Sequence, residues 1–583
     1  MRSALLRRTF PITAAALMAA LLLPSAQAGA TGPPTRGPVP PSLPLRARIT
    51  GAVIPGTSTA AAAAPAAASG LPAKQEQIKV LTAALATMKR DFAEFAGSTP
   101  GPADIFGYHI GALWRQGIDG AGTTIAVMGG WRFLGIANRV AAFDQQFGLP
   151  NPPIQTIDPA GPLPSTCPAG MRRLQSYGSC NAWQNELTLD VIAAHLVAPY
   201  AKIIISATPA DTEITGDPAE NVAMPEIMKG VEFIARHHLA NVMSISDESG
   251  ETTYPAGKAQ ITAQDAAELT AAADGVPVLV STGDCGVVQN LAVANAQCAK
   301  TSTTPDTAAW DDSPWVTAVG GSVPNLSPQT GQRQGPDPVW HTDGALAEGA
   351  GYSAVFPRPS YQNGVAGSTG SPMRSVPDIT LDSQDGTSES APLLAGVLAL
   401  ATQVNKGNVG PINPALYRVL GPCGAQAGIA DVVNGNNSVT ATDGNTVRGF
   451  TAGEGFDVAS GWGTVNAARF VPALAAATVA SHQDQAIRAL AKTQLTGLRH
   501  GMRLSAGHIP AGGTSYLLAS DFLPGHPVDL AIDGHTVATL TANTLGDVTY
   551  MIDPSQLKLA PGGHTITLAG MLLKQTATLT TSR

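Results

Sequence analysis

Three short segments of the chain carry side chains able to do covalent chemistry. The first is Gly386-Thr387-Ser388-Glu389-Ser390-Ala391-Pro392, followed by the small and apolar run Leu393 to Leu398. A serine behind Gly-Thr at the start of a buried helix stands on a tight turn. Backbone N–H groups and the positive end of the helix lie beside it, which suits an activated nucleophile. Serine ahead of an apolar run is also a common helix cap. A serine nucleophile needs a base, and histidine is the usual one. The histidines do not offer it: His195 sits among Leu and Ala, His237 and His238 close a helical stretch, and His341 follows Trp340 in a loop. The second segment, Glu186-Leu187-Thr188-Leu189-Asp190, offers carboxylates instead. At a spacing of four, Glu186 and Asp190 leave a helix on one face. An acidic pair is ordinarily a solvated face, but Val191-Ile192-Ala193-Ala194 is too apolar for a surface helix. The third segment is Ser281-Thr282-Gly283-Asp284-Cys285-Gly286, just after the strand-like run Val278–Val280. α/β sheets place functional groups at that end of a strand, although an aspartate between glycines also makes an Asx-turn.

These segments need a frame, and from about Pro102 to Ala475 the sequence reads as a large α/β domain. The runs Thr124–Met128, Lys202–Ser206 and Val276–Val280 look like buried parallel strands, with Pro277 confined to the first positions of the third. Helical stretches at Glu186–His195, Met224–His237 and Ala263–Ala273 alternate with them, which predicts a doubly wound parallel sheet covered on both faces. Upstream, Ile78, Leu81, Leu85, Met88 and Phe92 recur at helical steps between Lys74 and Phe95. Such a helix is marginal alone and should dock on something. The tail from about Gly501 has a different rhythm. Val528, Leu530 and Ile532 alternate up to Asp533-Gly534, and Ile566 and Leu568 alternate after Pro561-Gly562-Gly563. That pattern predicts a small all-β sandwich, similar to the Ig-like modules of bacterial secreted proteins.

The chain has 583 residues, of which 13% are charged and 44% hydrophobic, with a formal net charge of −8. This balance excludes a disordered polyelectrolyte and argues against a nucleic-acid partner. Arg2, Arg7 and Arg8 precede the apolar run Thr13–Leu23, and Ala26-Gln27-Ala28 supplies small residues for cleavage. That is the form of a signal peptide over residues 1–28, too short for a membrane span, so a secreted, extracellular protein is expected. Residues 29–99 read as a low-complexity linker, rich in Pro, Ala, Gly, Ser and Thr up to Gly70, and then a short helical pro-segment. A catalytic domain over 100–475, a linker over 476–500 and the C-terminal module over 501–583 complete the expected organisation. Cys167, Cys180, Cys285, Cys298 and Cys423 lack zinc spacing. Export permits disulfides, and Cys167/Cys180 and Cys285/Cys298 are close enough for local staples, but four cysteines allow three connectivities.

In order and wording, the three chemical segments resemble the sedolisins, the serine-carboxyl peptidases, whose fold is subtilisin-like. The resemblance runs from about Tyr108 to Ala468. It includes Gly117 to Ala126, Ala198-Pro199-Tyr200-Ala201, Ser313 to Gly321, Phe356 to Gln362 and Val376-Pro377-Asp378. It implies that Ser388 is the nucleophile, Glu186 the general base, Asp190 its orienting partner and Asp284 the acid of the oxyanion hole. Polypeptide substrates and action in acid follow, because a carboxylate base ionises near pH 4 and Asp284 donates only while protonated. The resemblance also implies one calcium ion. Asp431 and Asp457 would give carboxylate oxygens and Val432, Gly453 and Gly455 carbonyls, an all-oxygen set suited to Ca²⁺.

Three departures from the family pattern stand out. The segment ahead of the domain is short for a folded propeptide. The stretch Ile379–Asp385 before Gly386 is abbreviated, and Asp247-Glu248 follow Ser244-Ile245-Ser246 where Trp-Gly is usual. They leave a second reading, a catalytically weak or inactive relative that binds a surface or polymer through its C-terminal module. A third is a neutral Ser/His/Asp protease. Endopeptidase and tripeptidyl-peptidase modes are not separable from the sequence.

Overall fold

The computed structural model describes residues 71–583, except 162, 164–179, 209–222, 248–249, 255–256, 292–297, 343–345, 481–501 and short loops beyond 504. The expected signal peptide, the segment 29–70, Cys167 and most of the 476–500 linker lie outside the described residues. Among the described residues no helix is long and apolar enough to cross a membrane.

Seven parallel strands form the central sheet. They are β1 (Thr124–Gly129), β2 (Ile154–Ile157), β3 (Lys202–Ala207), β4 (Val242–Ile245), β5 (Val278–Ser281), β6 (Thr317–Ser322) and β9 (Ile379–Asp382), in the order β2-β3-β1-β4-β5-β6-β9. The central strands are apolar on both faces because helices cover both: Ile125, Val127, Ile203, Ile205, Leu279 and Val280 are fully buried. Pro277 precedes β5, where its missing N–H costs no ladder bond. After β1 the chain builds β2 and β3 on one side, then crosses to lay down β4 to β6 on the other. The carboxyl ends of β1, β4 and β5 therefore flank the point of reversal, where open α/β sheets keep their ligands.

Two helices matter most for the site. One is α5 (Cys180–Val197), following α1 (Lys74–Arg90), α2 (Pro102–Gly107), α3 (Ile110–Trp114) and α4 (Ile136–Phe147). The other is α8 (Thr387–Asn405), following α6 (Ala223–Arg236) and α7 (Lys258–Asp274). All residues from Leu187 to Val197 are buried, and so is α8 from Glu389 to Thr402. The two helices meet at Gly396, where an added Cβ would sit 2.5 Å from the Val197 Cβ. Only glycine admits so close a crossing.

The amphipathic helix read from Lys74 onward docks as its spacing requires. Leu81 and Met88 are fully buried and Leu85 nearly so, in the same core as α3, α4 and the sheet, and Phe92 is buried edge-on against Phe106. A segment expected to precede the domain is thus part of its core. At the other end, α9 (Ala467–Ala480) runs past the expected boundary at 475 and buries Phe470, Val471 and Leu474. The Ala467 N–H donates to the Tyr108 carbonyl at 2.9 Å.

A hairpin of β7 (Gly351–Pro357) and β8 (Met373–Val376) leads into β9. Here Arg374, fully buried, donates both terminal nitrogens to Asp378, each at 2.7 Å. The same carboxylate accepts from the Ala318 N–H at 2.8 Å, the Tyr417 hydroxyl at 2.7 Å and the Asn413 amide at 3.1 Å. One buried ion pair therefore clasps β6, β8 and the segment after α8.

Beyond residue 501 two sheets enclose a separate apolar cluster. Arg503–Leu504, Ser515–Ala519 and Val548–Ile552 form one sheet. His508–Ile509, Pro527–Ile532, His535–Thr541, Gly562–Ala569 and Lys574–Thr581 form the other. Val528, Leu530 and Ile532 point inward as their alternation predicts, and Asp533-Gly534, with φ of 52° and 81°, makes the tight turn between two strands.

Candidate active site

The turn before Ser388 is shaped by Gly386, whose φ of 95° directs the chain into α8. A Cβ there would lie 2.5 Å from Asp284 Oδ2, so glycine is required both for the backbone and for the neighbour. Ser388 is the second residue of α8 and remains partly exposed. Four residues on stands Pro392, inside the helix, which has no N–H for the Ser388 carbonyl. The Ser246 hydroxyl, just beyond β4, donates to that carbonyl instead, at 3.1 Å.

Asp284 follows β5 and reaches the same turn. Its Oδ1 accepts the Thr387 N–H at 2.7 Å and the Thr387 hydroxyl at 2.8 Å, while that hydroxyl accepts the Gly283 N–H at 3.0 Å. Asp284 is thus fixed one residue from Ser388. The next residue, Cys285, is fully buried and bonded to Cys298, one of the local staples considered from the sequence. Cys180 is also disulfide-bonded, and Cys423 is a free, exposed thiol.

The acid pair comes from α5, seated by Leu187 against Gly129 and Trp183 against Gly130, at the carboxyl end of β1. Glu186 is partly exposed and Asp190 wholly buried. Burial above all, and then the charge of Glu186, push the Asp190 carboxyl well above the usual range, and Asp247 adds to this. Two carboxyl groups so placed titrate as a unit and favour holding one proton between them. The Ser246 hydroxyl acts the other way and lowers the Asp190 carboxyl. The acid pair and the turn at Ser388 lie at the same end of the sheet, and Ser246, bonded to that turn, had no catalytic reading from its sequence context.

The histidines stay outside these contacts. His195 is buried on α5 and pairs with Asp144 at 2.8 Å, whereas His237, His238 and His341 are exposed. The neutral Ser/His/Asp reading thus finds no histidine in this group among the described residues.

A second acidic group was not legible in the sequence. Asp104 of α2, Asp382 at the end of β9 and Glu389 of α8 are all fully buried, with carboxylate oxygens within 4.8 Å of one another. Burial pushes Asp104 up to about 7, and burial with mutual repulsion holds Asp382 and Glu389 well above the ordinary range. Glu389 also accepts the Asp385 N–H at 3.3 Å. The abbreviated stretch before Gly386 is thus underpinned by a cluster that favours protons.

The five residues proposed for calcium converge on one loop. The Gly455 N–H donates to Asp431 Oδ2 at 2.8 Å, the Gly453 N–H to Asp457 Oδ2 at 2.9 Å, and the Ser460 hydroxyl to the Val432 carbonyl at 3.4 Å. Asp431 Oδ1 is buried without a hydrogen-bond partner, and burial raises Asp457 to about 6. Hard oxygen donors and an orphaned carboxylate oxygen fit a divalent cation.

No family model matches the chain. It is similar to kumamolisin of Bacillus sp. (strain MN-32), 27% identical over 404 residues, covering 62% of this chain and 61% of that protein. It is similar also to sedolisin of Pseudomonas sp. (strain 101), 29% identical over 228 residues, 36% of each chain. Tripeptidyl-peptidase 1 of Homo sapiens is 28% identical over 229 residues, 34% of this chain and 37% of that one. The chain thus spans about three fifths of the first of these relatives and about a third of the others. Among solved structures, Pseudomonas sedolisin complexed with two molecules of pseudo-iodotyrostatin superposes with a TM-score of 0.50 at 24% identity, over 61% of this chain and 92% of that one. This likeness establishes the subtilisin-like fold of the parallel-sheet domain. The sequence relationships run over the same region, where the chain is similar to members of the sedolisin family.

Proposed function

We propose that the chain is a secreted serine-carboxyl peptidase that cleaves polypeptides in acid. The observation that carries this reading is the convergence of Ser388, Asp284 and the Glu186/Asp190 pair on one end of the sheet, from three segments distant in sequence. Ser388 Oγ attacks the scissile carbonyl and Glu186 takes its proton. The oxyanion accepts a hydrogen bond from protonated Asp284 and from the N-terminal turn of α8. Collapse expels the amine, which recovers the proton from Glu186, and a water molecule then releases the acyl group by the same route. Asp190 orients Glu186 and shares its proton. One Ca²⁺ held by Asp431, Val432, Gly453, Gly455 and Asp457 would supply structural cross-linking of the loop and no chemistry at Ser388.

The deciding experiment is kcat against pH on a peptide mixture, for wild type and Asp284 variants. Asp284→Ala is expected to lower kcat about 10²–10³-fold, the effect of one missing oxyanion donor. Asp284→Asn keeps a donor at every pH, so its profile should fall less steeply on the alkaline side. Full acid activity of Asp284→Ala would reduce this residue to a turn former. Product lengths from the same digest separate endopeptidase from tripeptidyl-peptidase action.

Chelation should lower thermal stability far more than it changes kcat below the transition. An ion present at a hundredfold excess over its Kd contributes about 2.7 kcal/mol to the native state. The readout is the melting temperature in calcium and in excess chelator, with Asp457→Asn as control. An unchanged melting temperature, with no calcium in the purified protein, would count against the site.

A further inference from the structure

We propose that Glu348 is a positioning residue for Asp284. Its buried carboxyl ties the end of β5 to β6 and holds the turn from which Asp284 reaches the site. The inference rests on the peptidase reading above.

The sheet itself holds little of that turn. The β5–β6 ladder runs only to Ser281 opposite Val319. Thr282 adds one bond, its N–H to the Val319 carbonyl at 3.3 Å, and Gly283, with φ of 92°, then turns the chain. The main chain of Asp284 is held instead by residues 347–349. The Ala347 N–H donates to the Asp284 carbonyl and the Gly349 N–H to the Gly283 carbonyl, each at 2.9 Å. The Gly286 N–H donates back to the Ala347 carbonyl, also at 2.9 Å. The approach is close, since a Cβ on Gly349 would collide with the Thr282 carbonyl. This strap fixes the backbone of Asp284, while Thr387 holds its carboxylate.

Glu348 anchors the strap. It is wholly buried, and its own N–H donates to the Trp340 carbonyl at 3.0 Å. One carboxyl oxygen accepts the Thr282 hydroxyl at 3.0 Å, and the other accepts the Gly321 N–H of β6. A Cβ on Gly320 or Gly321 would run into the same carboxyl group, so the two glycines of β6 form its seat. One side chain therefore joins the strap to both strands behind the turn. An apolar residue of equal volume would fill the seat and leave the Thr282 hydroxyl and the Gly321 N–H without it as acceptor. What the acid adds is direction: it fixes where Thr282 stands, and Asp284 follows two residues on. An oxyanion donor works only within hydrogen-bond reach of the developing charge. A small shift of this turn thus costs rate rather than substrate binding. Burial pushes the Glu348 carboxyl well above its ordinary range, so in acid it is uncharged, and glutamine imitates that form.

The test is kcat and KM at acid pH, with the full chain and a peptide substrate. The variants are Glu348→Met, Glu348→Gln, Asp284→Ala, Glu348→Met/Asp284→Ala and Ser388→Ala. Glu348→Met keeps the volume without hydrogen bonds, and is expected to lower kcat about tenfold with KM within about twofold. Glu348→Gln should recover most of that loss, its carbonyl facing the Gly321 N–H and its amide N–H the Thr282 oxygen. In the double variant nothing is left to position, so kcat should be no lower than in Asp284→Ala alone. A residue that only supported packing would cost the same factor in either background. If Glu348→Met does not fold, Thr282→Val carries the test, with a loss of about threefold and the same absence of additivity. Wild-type kcat in the folded variant, or an additive loss in the double one, overturns the inference alone when Ser388→Ala is inactive. An active Ser388→Ala overturns the peptidase reading and the inference together.

Discussion

Ser388→Ala is expected to lower peptidase turnover roughly 10⁶-fold, the size of loss seen when a serine peptidase is deprived of its nucleophile. Glu186→Gln should cost a comparable factor, because glutamine keeps the shape of the side chain and cannot take the serine proton. The double variant should be little worse than either single one, since nucleophile and base serve one covalent pathway and its loss is suffered once. Both positions are partly exposed, so neither substitution opens a cavity and folding should be unaffected. The measurement is single-turnover cleavage of a peptide at acid pH, with melting temperature as the control for folding. Turnover near wild type in either variant would remove that residue from the mechanism. Additive losses in the double variant would mean that the two do not act as a unit.

The largest effect on stability should come from Asp378→Ala. Arg374 is fully buried and its guanidinium has Asp378 as ion-pair partner, while the Ala318 N–H, the Tyr417 hydroxyl and the Asn413 amide all donate to the same carboxylate. Alanine leaves a buried charge unpaired and takes the acceptor from the Ala318 N–H and the Tyr417 hydroxyl, and breaking a buried pair in this way costs about 3–5 kcal/mol. Removing both charges, as in Arg374→Met/Asp378→Leu, should recover much of that loss, because no unpaired ion remains. Arg374→Lys should not substitute well, since a lysine cannot make the two-pronged contact. Denaturant unfolding of the single and double variants tests this. A loss of less than about 1 kcal/mol in Asp378→Ala would place the pair among structurally idle ones.

What was legible in the sequence follows the range over which its signals act. Runs such as Ile203–Ile205 and Val278–Val280 read as buried strands because a parallel sheet covered on both faces has no polar alternation to obscure. The common face of Glu186 and Asp190 follows from helical spacing, and the turn at Gly386 from local composition. The contacts that join these parts were not legible, since each pairs residues brought together only by the fold. Ser246 and Ser388 are 142 positions apart, and Asp284 and Thr387 are 103 apart. Asp104 looks like an ordinary acid in the first turn of a short helix until β9 and α8 close over it. The helix at Lys74 was readable as amphipathic, but its place in the core depends on α3 and α4, which a periodicity does not name.

The hydrogen bond from Ala467 to Tyr108 joins the first turns of the parallel-sheet domain to its last helix. Phe470, Val471 and Leu474 of that helix fill the core that α1, α3 and α8 also line. The domain is therefore a closed circuit rather than a chain of separately stable parts. During synthesis Ser388 is made before α9, yet α8 has no complete seat until α9 exists to cover it. A nascent chain shorter than about 480 residues thus carries all four candidate site residues and lacks the packing that holds them in register. The packing of the candidate site is complete only with the last turn of the domain, as a property of the finished circuit.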